Sequence, residues 1–187
     1  IGAGAAGVSA LHQLRAAGHD VDCFEKTHRV GGHWHTDYDA LHLITSRDMT
    51  FFEDFPMPAD YPHFPRRDQI RTYIESYARA RGLYEVIQFG TAVQSVVPVD
   101  TDGAVGSAGW DVTTDKGTET YDGVLVANGH LWDAKIPPIP GTFTGKQLHS
   151  SEYQNTGDIE GSRVLVVGAG NSGCDIAVDA VHYARSV

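Results

Sequence analysis

Apolar residues follow two different spacings along this chain, and each spacing predicts a different kind of element. Residues 9–17 hold good helix formers and precede Gly18, a residue type that often ends a helix. Residues 67–81 place apolar side chains every three or four positions, which predicts a second helix ending before Gly82. Shorter apolar or alternating runs predict strands at residues 21–24, 86–89, 92–97, 109–114 and 119–121. Helices and strands mixed in this way predict an α/β protein.

Two further runs, at residues 124–127 and 163–167, are apolar almost throughout. Such a run is typical of a parallel strand covered on both faces, so we expect both runs to be buried. The second run leads towards a helix predicted over residues 174–185. Residues 27–66 are instead rich in Gly, His, Pro and aromatic residues, which predicts an ordered but irregular segment.

A glycine-rich turn precedes the first predicted helix and reads Gly2-Ala3-Gly4-Ala5-Ala6-Gly7. In this spacing the glycines permit a tight turn, close approach of a pyrophosphate and close packing of helix on strand. Glu25 follows Gly7 by 18 residues, where an acid would bind both ribose hydroxyls and repel a 2′-phosphate. The pattern predicts a site for FAD or NAD. The alternative is a structural turn followed by a surface glutamate.

A second glycine-rich turn follows the apolar run at residues 163–167 and reads Gly168-Ala169-Gly170-Asn171-Ser172-Gly173. Strand, turn and helix stand in the order that a dinucleotide site requires. Two such turns in one chain indicate a flavin and a nicotinamide brought together for hydride transfer.

Four segments hold longer motifs: EKTHRVGGHW at residues 25–34, SRDMTFFEDFPMP at residues 46–58, VLVANGH at residues 124–130, and the pattern FxGxxxHxxxY formed by Phe143, Gly145, His149 and Tyr153. Together they resemble the flavin-containing monooxygenases, within the class B flavoprotein monooxygenases. The first segment is similar to the family's second FAD-contacting segment, and the second to the segment that passes the flavin ring. The third resembles its Ala-Thr-Gly motif, with Asn128 where Thr is usual, and the last fits the family's identifying pattern.

The resemblance implies an FAD-binding Rossmann-like domain, doubly wound and three-layered, followed by the start of an NADPH-binding Rossmann-like domain. We expect the first domain at residues 1–155, including a connector, and the second at 156–187. The implied FAD contacts are Gly2, Ala3, Gly4, Ala5, Ala6, Gly7, Glu25, Lys26, Gly32, His33, Trp34, Thr45 and Val93. The implied NADP contacts are Gly168, Gly170, Asn171, Ser172 and Gly173.

The implied activity is NADPH-dependent monooxygenation, in which one oxygen atom of O2 enters a small organic substrate through a flavin C4a-(hydro)peroxide. The flavin performs the difficult step, so we assign no catalytic residue. Baeyer–Villiger monooxygenases are an alternative within the class. They usually carry Trp where Tyr153 stands, which favours N- or S-oxygenation, whereas Ile44 replaces an Asn of many N-oxygenating members and opposes it.

Composition and charge argue against several other kinds of partner and site. The formal charge of −10 argues against nucleic acid as a partner. No apolar run approaches the roughly 20 residues that cross a bilayer, and with only Cys23 and Cys174 present we expect a cytoplasmic protein. Neighbouring His28, His33 and His35 lack a Cys or carboxylate that would complete a metal site, so we predict none.

Two functions of other kinds remain open. One is a two-dinucleotide flavin reductase without oxygenation, although such enzymes usually need a close cysteine pair. The other is a non-catalytic nucleotide-sensing or interaction module. The chain begins on a turn that normally follows a strand and stops just inside a second unit, so we expect it to be truncated at both ends and inactive alone.

Overall fold

The computed structural model of the chain describes residues 1–100, 105–106 and 108–187. Backbone proximity divides it into two compact units, each assembled from two stretches of sequence. The first unit contains Ile1–Gly32 and Thr72–Gly129, and the second contains His33–Arg71 and His130–Val187. The boundary that we expect after residue 155 stays a prediction.

Two helices begin or end in the first unit close to their predicted positions. Helix α1, Ala5–Ala16, starts within the glycine-rich turn, four residues before its predicted start. Helix α2, Arg67–Ala80, ends before Gly82, whose φ of +63° suits glycine. The apolar face that the sequence predicts for α2 is buried, at Ile70, Tyr73, Ile74 and Tyr77. In the first unit, Val8 and Leu11 of α1 and the nearby Leu83 are buried as well.

A parallel arrangement of backbone segments supports the first glycine-rich turn. Strand β1, Cys23–Glu25, pairs in parallel with β2, Ile87–Phe89. On the other side of β1, the Gly2 amide donates to the Phe24 carbonyl at 2.8 Å. The Ile1 nitrogen donates to Leu125 O at 2.7 Å, and the Ala127 amide donates to Ile1 O at 2.8 Å, the pattern of a parallel pair. These contacts confirm the α/β class.

The first unit also contains an antiparallel sheet. Its strands are β3, Ser95–Pro98; β4, Trp110–Thr114; and β5, Gly117–Tyr121. Strand β4 lies in the middle, with Val96 opposite Val112 and Val112 opposite Glu119. Val112 is 3 % exposed, so the sheet buries one side of its central strand. All three strands overlap segments that the alternating pattern predicts.

Helix α3, Asn171–Val181, belongs to the second unit and starts three residues before its predicted start. A small core contains Ala180 of this helix together with Tyr38, Tyr153 and Ile159. Arg163 forms a parallel bridge with Ser186 beyond the helix. The segment at residues 27–66, predicted to be irregular, contains a 3-10 turn at Gly32–His35, and another 3-10 turn lies at Thr156–Asp158.

The prediction that residues 124–127 and 163–167 form buried strands is wrong. Leu125 is 55 % exposed, Val126 is 65 % exposed and Leu165 is 84 % exposed. Neither run lies within a named strand among the described residues, although Leu125 and Ala127 each form one backbone hydrogen bond with Ile1. The apolar character of a run shows that it can be buried, but burial itself depends on the surface that covers the run, which its own residues do not encode.

Within the described ranges, no helix combines the length and apolar character that a membrane crossing requires. In the same ranges, no group of three or more His, Cys, Asp or Glu side chains is arranged to hold a metal ion.

Candidate dinucleotide sites

The first glycine-rich turn packs so closely that two of its glycines leave no room for a side chain. Gly2 has a φ of +96°, and a Cβ atom there would lie 2.6 Å from the carbonyl oxygen of Ala127. A Cβ on Gly7 would lie 1.8 Å from the Gly2 carbonyl oxygen. The first turn of α1 therefore sits directly against the turn that precedes it, as the glycine spacing predicts.

The N-terminus of α1 has the properties of an anion site. Gly4 caps the helix without a side chain, and the first helical turn contains no acidic residue. Val8 donates the first intrahelical hydrogen bond, to the Gly4 carbonyl at 3.0 Å, so the amides before it have no partner within the helix. Ala5 and Ala6 are exposed. Amides without an intrahelical partner and the positive end of the helix dipole suit a phosphate.

Glu25 lies at the end of β1 beside this turn and is only 6 % exposed. Its Oε2 accepts a hydrogen bond from the Ala3 amide at 2.8 Å. Its Oε1 accepts from the Thr27 amide at 2.8 Å and from the Thr27 hydroxyl at 2.7 Å. A carboxylate offers about four acceptor positions, so these three bonds leave one position for a ribose hydroxyl. The residues present therefore fit the ribose and pyrophosphate of FAD.

The segment after Glu25 folds back onto the glycine-rich turn. The Gly31 amide donates to the Ala3 carbonyl at 3.0 Å. A Cβ on Gly32 would lie 3.4 Å from the Gly4 Cα, so two glycines meet backbone to backbone beside the N-terminus of α1. Gly31 and Thr27 were absent from the predicted contacts. For Thr27 the sequence offers only a weak indication, a short polar side chain two residues after Glu25. Gly31 could have been predicted from its place in the motif Gly31-Gly32-His33-Trp34.

Two other predicted FAD contacts also belong to the first unit. Lys26 is exposed and lies next to Glu25. Val93 is half-buried in the loop between β2 and β3. The same loop is joined to β1 by the Thr91 amide, which donates to the Glu25 carbonyl at 3.0 Å. Their roles as cofactor contacts stay predictions.

His33, Trp34 and Thr45, also predicted as FAD contacts, belong to the second unit, and their roles stay predictions. His33 Nδ1 lies 2.5 Å from Asp37 Oδ2, and its ring centroid lies 4.8 Å from that of Trp34. The Thr45 hydroxyl shares a hydrogen bond of 2.5 Å with that of Thr50 and is exposed.

The second glycine-rich turn repeats the local geometry of the first. Gly168 has a φ of +118°, and a Cβ on Gly173 would lie 2.5 Å from the Gly168 carbonyl oxygen. Gly170 caps α3 without a side chain, and the first turn of α3 contains no acidic residue. Cys174 donates the first intrahelical hydrogen bond, to the Gly170 carbonyl at 3.0 Å. The turn therefore offers a second anion site of the same kind.

Two carboxylates on α3 are bound by tyrosines from distant parts of the sequence. The Tyr38 hydroxyl donates to Asp175 Oδ2 at 2.9 Å, and the Tyr153 hydroxyl donates to Asp179 Oδ2 at 2.6 Å. Burial, followed by the neighbouring carboxylate, raises the pKa of Tyr38 to about 12, although Ser172 opposes the shift through a hydrogen bond. Burial and the bond to Asp179 likewise raise the pKa of Tyr153. Both phenols therefore stay protonated at neutral pH.

Tyr153 and His149 belong to the FxGxxxHxxxY pattern, and both take part in local structure. The Tyr153 amide donates to the His149 carbonyl at 3.3 Å, and the His149 amide donates to the Glu152 carboxylate at 2.7 Å. The pattern thus forms a turn that presents Tyr153 to α3. Tyr38, Asp175 and Asp179 were not predicted, because 137 residues separate Tyr38 from Asp175 and no local pattern connects them.

Two glycine-rich turns, each beginning a helix with free amides, define an α/β protein of the two-dinucleotide class. The chain belongs to the flavin-binding monooxygenase-like family, whose sequence model matches residues 1–187.

Individual relatives agree with this assignment. The chain is 37 % identical to flavin-containing monooxygenase 3 from Rattus norvegicus, over 100 % of this chain and 38 % of that protein. It superposes on S-allyl-L-cysteine S-oxygenase from Allium sativum with a TM-score of 0.86 and 27 % identity, covering 99 % of this chain and 48 % of the other. For a cyclohexanone monooxygenase mutant from Rhodococcus sp. Phi1 bound to NADP+, the TM-score is 0.79 and the identity 28 %, over 99 % and 36 % of the two chains. The chain spans about two-fifths of the length of the curated relatives that it matches.

Proposed function

We propose that the full-length protein is an NADPH-dependent flavoprotein monooxygenase that inserts one oxygen atom of O2 into a small organic substrate. The observation that carries the proposal is the pair of glycine-rich turns, at Gly2–Gly7 and Gly168–Gly173, within a chain of the flavin-binding monooxygenase-like family. One such turn would suit many nucleotide-binding proteins. Two imply a pair of nucleotides between which electrons pass.

In this proposal the first turn binds FAD. The amides at the start of α1 would hold the pyrophosphate, and Glu25 would accept a hydrogen bond from a ribose hydroxyl. Its negative charge would disfavour a nucleotide with a 2′-phosphate at this position, which supports FAD here and NADPH at the other turn. When bound, FAD supplies the electron-transfer and oxygen-activating chemistry of the class.

The second turn would bind NADPH through its glycines and through Asn171 and Ser172 at the start of α3. The protein's contribution at both turns is to bind and orient the nucleotides. We assign no side chain to proton transfer with the substrate, and the catalytic residues of the full-length protein stay unassigned.

The substrate class is open between two forms of the same chemistry. Soft nucleophiles, such as sulfides and amines, are supported by the S-oxygenase among the relatives and by Tyr153 in the identifying pattern. Ketones are supported by the cyclohexanone monooxygenase and by Ile44, which cannot donate a hydrogen bond and is 61 % exposed. The products formed from a matched sulfide and ketone would separate these alternatives.

The decisive experiment uses the full-length protein, purified with its flavin, in oxygenated buffer. We expect consumption of NADPH, faster than of NADH, coupled to one oxygenated product per NADPH. Hydrogen peroxide as the sole product, with each of several sulfides, amines and ketones, would instead support a flavin reductase. Absence of both flavin and NADPH oxidation would contradict the proposal and support a nucleotide-sensing role.

A cytoplasmic location is also part of the proposal. Cys23 and Cys174 are both free, and Cys174 is exposed, as is usual for thiols in a reducing compartment. Fractionation of cells that express the full-length protein tests this point, and recovery with membranes would contradict it.

A further inference from the structure

Tyr38 connects an irregular segment of the second unit to the start of α3. The side chain is 4 % exposed, and its hydroxyl donates to Asp175 Oδ2 at 2.9 Å. The Ser172 side chain lowers the pKa of Tyr38 through a hydrogen bond to the phenol. His42 Nδ1 lies 3.8 Å from the same Asp175 oxygen, which is too far for a hydrogen bond. Tyr38 therefore contacts two side chains of the first two turns of α3.

The backbone on either side of Tyr38 is itself fixed. Arg67, at the start of α2, donates to the Asp37 carbonyl at 2.5 Å and pairs with Asp39 Oδ1 at 2.8 Å. The Asp39 amide donates to the Gln154 carbonyl at 2.8 Å. Because the backbone on both sides of Tyr38 is fixed, its phenol can hold Ser172 and Asp175 in place.

The surroundings of the second glycine-rich turn show why such support matters there. A Cβ on Gly168 or Gly170 would meet no atom within 4 Å, and both residues are exposed. Asn171, the first residue of α3, is exposed as well. Ser172 and Asp175 of α3 both contact Tyr38. The turn is therefore fixed through the helix that follows it.

We propose that Tyr38 is a positioning residue for the second glycine-rich turn, which it orients through Ser172 and Asp175 for the nicotinamide nucleotide. The inference rests on the proposed function, in which this turn binds NADPH. It adds a residue that lies far from the turn in sequence and need not contact the nucleotide.

The chain provides a matched control in Tyr153. This tyrosine is 3 % exposed and donates to Asp179 at 2.6 Å, one helical turn further from the glycines. The variants Tyr38→Phe and Tyr153→Phe each remove one buried hydroxyl that binds a carboxylate of α3. Tyr38→Phe removes the bond to Asp175, beside the glycine-rich turn, whereas Tyr153→Phe removes the bond to Asp179, one helical turn further away.

The experiment measures the Kd of NADP+ by titration calorimetry, together with bound FAD and the thermal midpoint, for the full-length flavoprotein and both variants. We expect Tyr38→Phe to raise the Kd about tenfold, the change that two misplaced hydrogen-bonding groups can cause. We expect Tyr153→Phe to raise it no more than about twofold, with a similar loss of thermal midpoint and unchanged FAD in both.

Equal changes in Kd for the two variants would overturn the positioning role, since loss of stability would then explain both. Absence of NADP+ binding by the unsubstituted protein would overturn the proposed function instead, so the two failures are distinguishable. If Tyr38→Phe does not fold, Asp175→Asn supplies the test, because a neutral amide oxygen accepts the phenol more weakly than a carboxylate does. We expect a smaller increase in the Kd of NADP+ than for Tyr38→Phe, and no increase at all would overturn the positioning role.

Discussion

The two glycine-rich turns have nearly the same backbone but very different surroundings. The capping glycines Gly4 and Gly170 have φ values of −73° and −76°, and each begins a helix without a side-chain cap. Around the first turn, Ala127, Glu25 and the segment ending at Gly32 approach closely. The second turn has an exposed outer side and is supported through Ser172 and Asp175 of its helix. A short pattern of glycines thus dictates local geometry, while the enclosure of each site depends on distant residues.

The largest expected difference between the turns concerns the last glycine of each. Gly7→Ala would place a Cβ 1.8 Å from the Gly2 carbonyl, and Gly173→Ala would place one 2.5 Å from the Gly168 carbonyl. Backbone at the enclosed first turn cannot move away easily, so we expect a loss of about 3 kcal/mol or more for Gly7→Ala. For Gly173→Ala we expect about 1–2 kcal/mol. Denaturant unfolding of the full-length variants measures both, and equal losses would contradict the difference in enclosure.

A charge placed at each capping glycine should separate the two nucleotides. Both positions have extended backbone that suits Asp as an N-cap, and a Cβ would meet nothing closer than 4.0 Å. We expect Gly4→Asp to weaken FAD binding about 100-fold and Gly170→Asp to weaken NADP+ binding similarly, because a carboxylate repels the pyrophosphate.

The matched controls are Gly4→Asn and Gly170→Asn, which have the same shape and capping ability without the charge. Flavin absorbance of the purified protein and NADP+ titration are the readouts. Equal loss in the Asp and Asn variants would show that space, not charge, governs these positions.

Glu25 hydrogen-bonds the first glycine-rich turn through the Ala3 amide, so we expect Glu25→Gln to affect the nucleotide of that turn. The amide loses the negative charge and presents a donor group towards the amides of Ala3 or Thr27. We expect about tenfold weaker FAD binding, measured by flavin fluorescence during reconstitution, with NADP+ affinity unchanged. The exposed Glu85→Gln serves as the control. An equal effect on both nucleotides would contradict a local role for Glu25.

The smallest expected effect is an alkaline loss of stability that involves the second unit. The pKa of Tyr38 is raised from 10.0 to about 12, so the folded protein holds this proton more tightly than the unfolded chain. Stability from Tyr38 is complete below pH 10.0 and is lost as the pH rises towards 12. Urea unfolding across this range should show a decline that is shallower in Tyr38→Phe, and an unchanged slope in the variant would argue against the shift.

The sequence predicts the local parts of this molecule well, for reasons visible at particular residues. The face of α2 with Tyr73, Ile74 and Tyr77 follows from helical spacing, and the closeness of Gly7 to Gly2 follows from the glycine pattern. The acid at Glu25 is where the spacing predicts it, although its role toward a nucleotide stays a prediction.

Long-range parts of the molecule are not predictable in the same way. Whether residues 124–127 are buried depends on which other segments pack against them, and Leu125 is exposed although its run is apolar. The contact between Tyr38 and Asp175 joins positions with no shared periodicity or motif. A polar pair of this kind is specified only when the whole unit is folded, because either residue alone resembles an ordinary surface or core position.

The carboxylates of α3 also determine the rotation of that helix about its axis. Val178 and Val181 are 67 % and 63 % exposed, so apolar character alone would allow more than one side of the helix to face inward. Turning α3 by a single residue would leave two aspartates and two phenols without partners, at a cost that apolar contacts could not easily offset. Any exchange of Asp175 or Asp179 for an apolar residue should therefore be accompanied by exchange of its tyrosine, and this pairing can be sought among natural relatives.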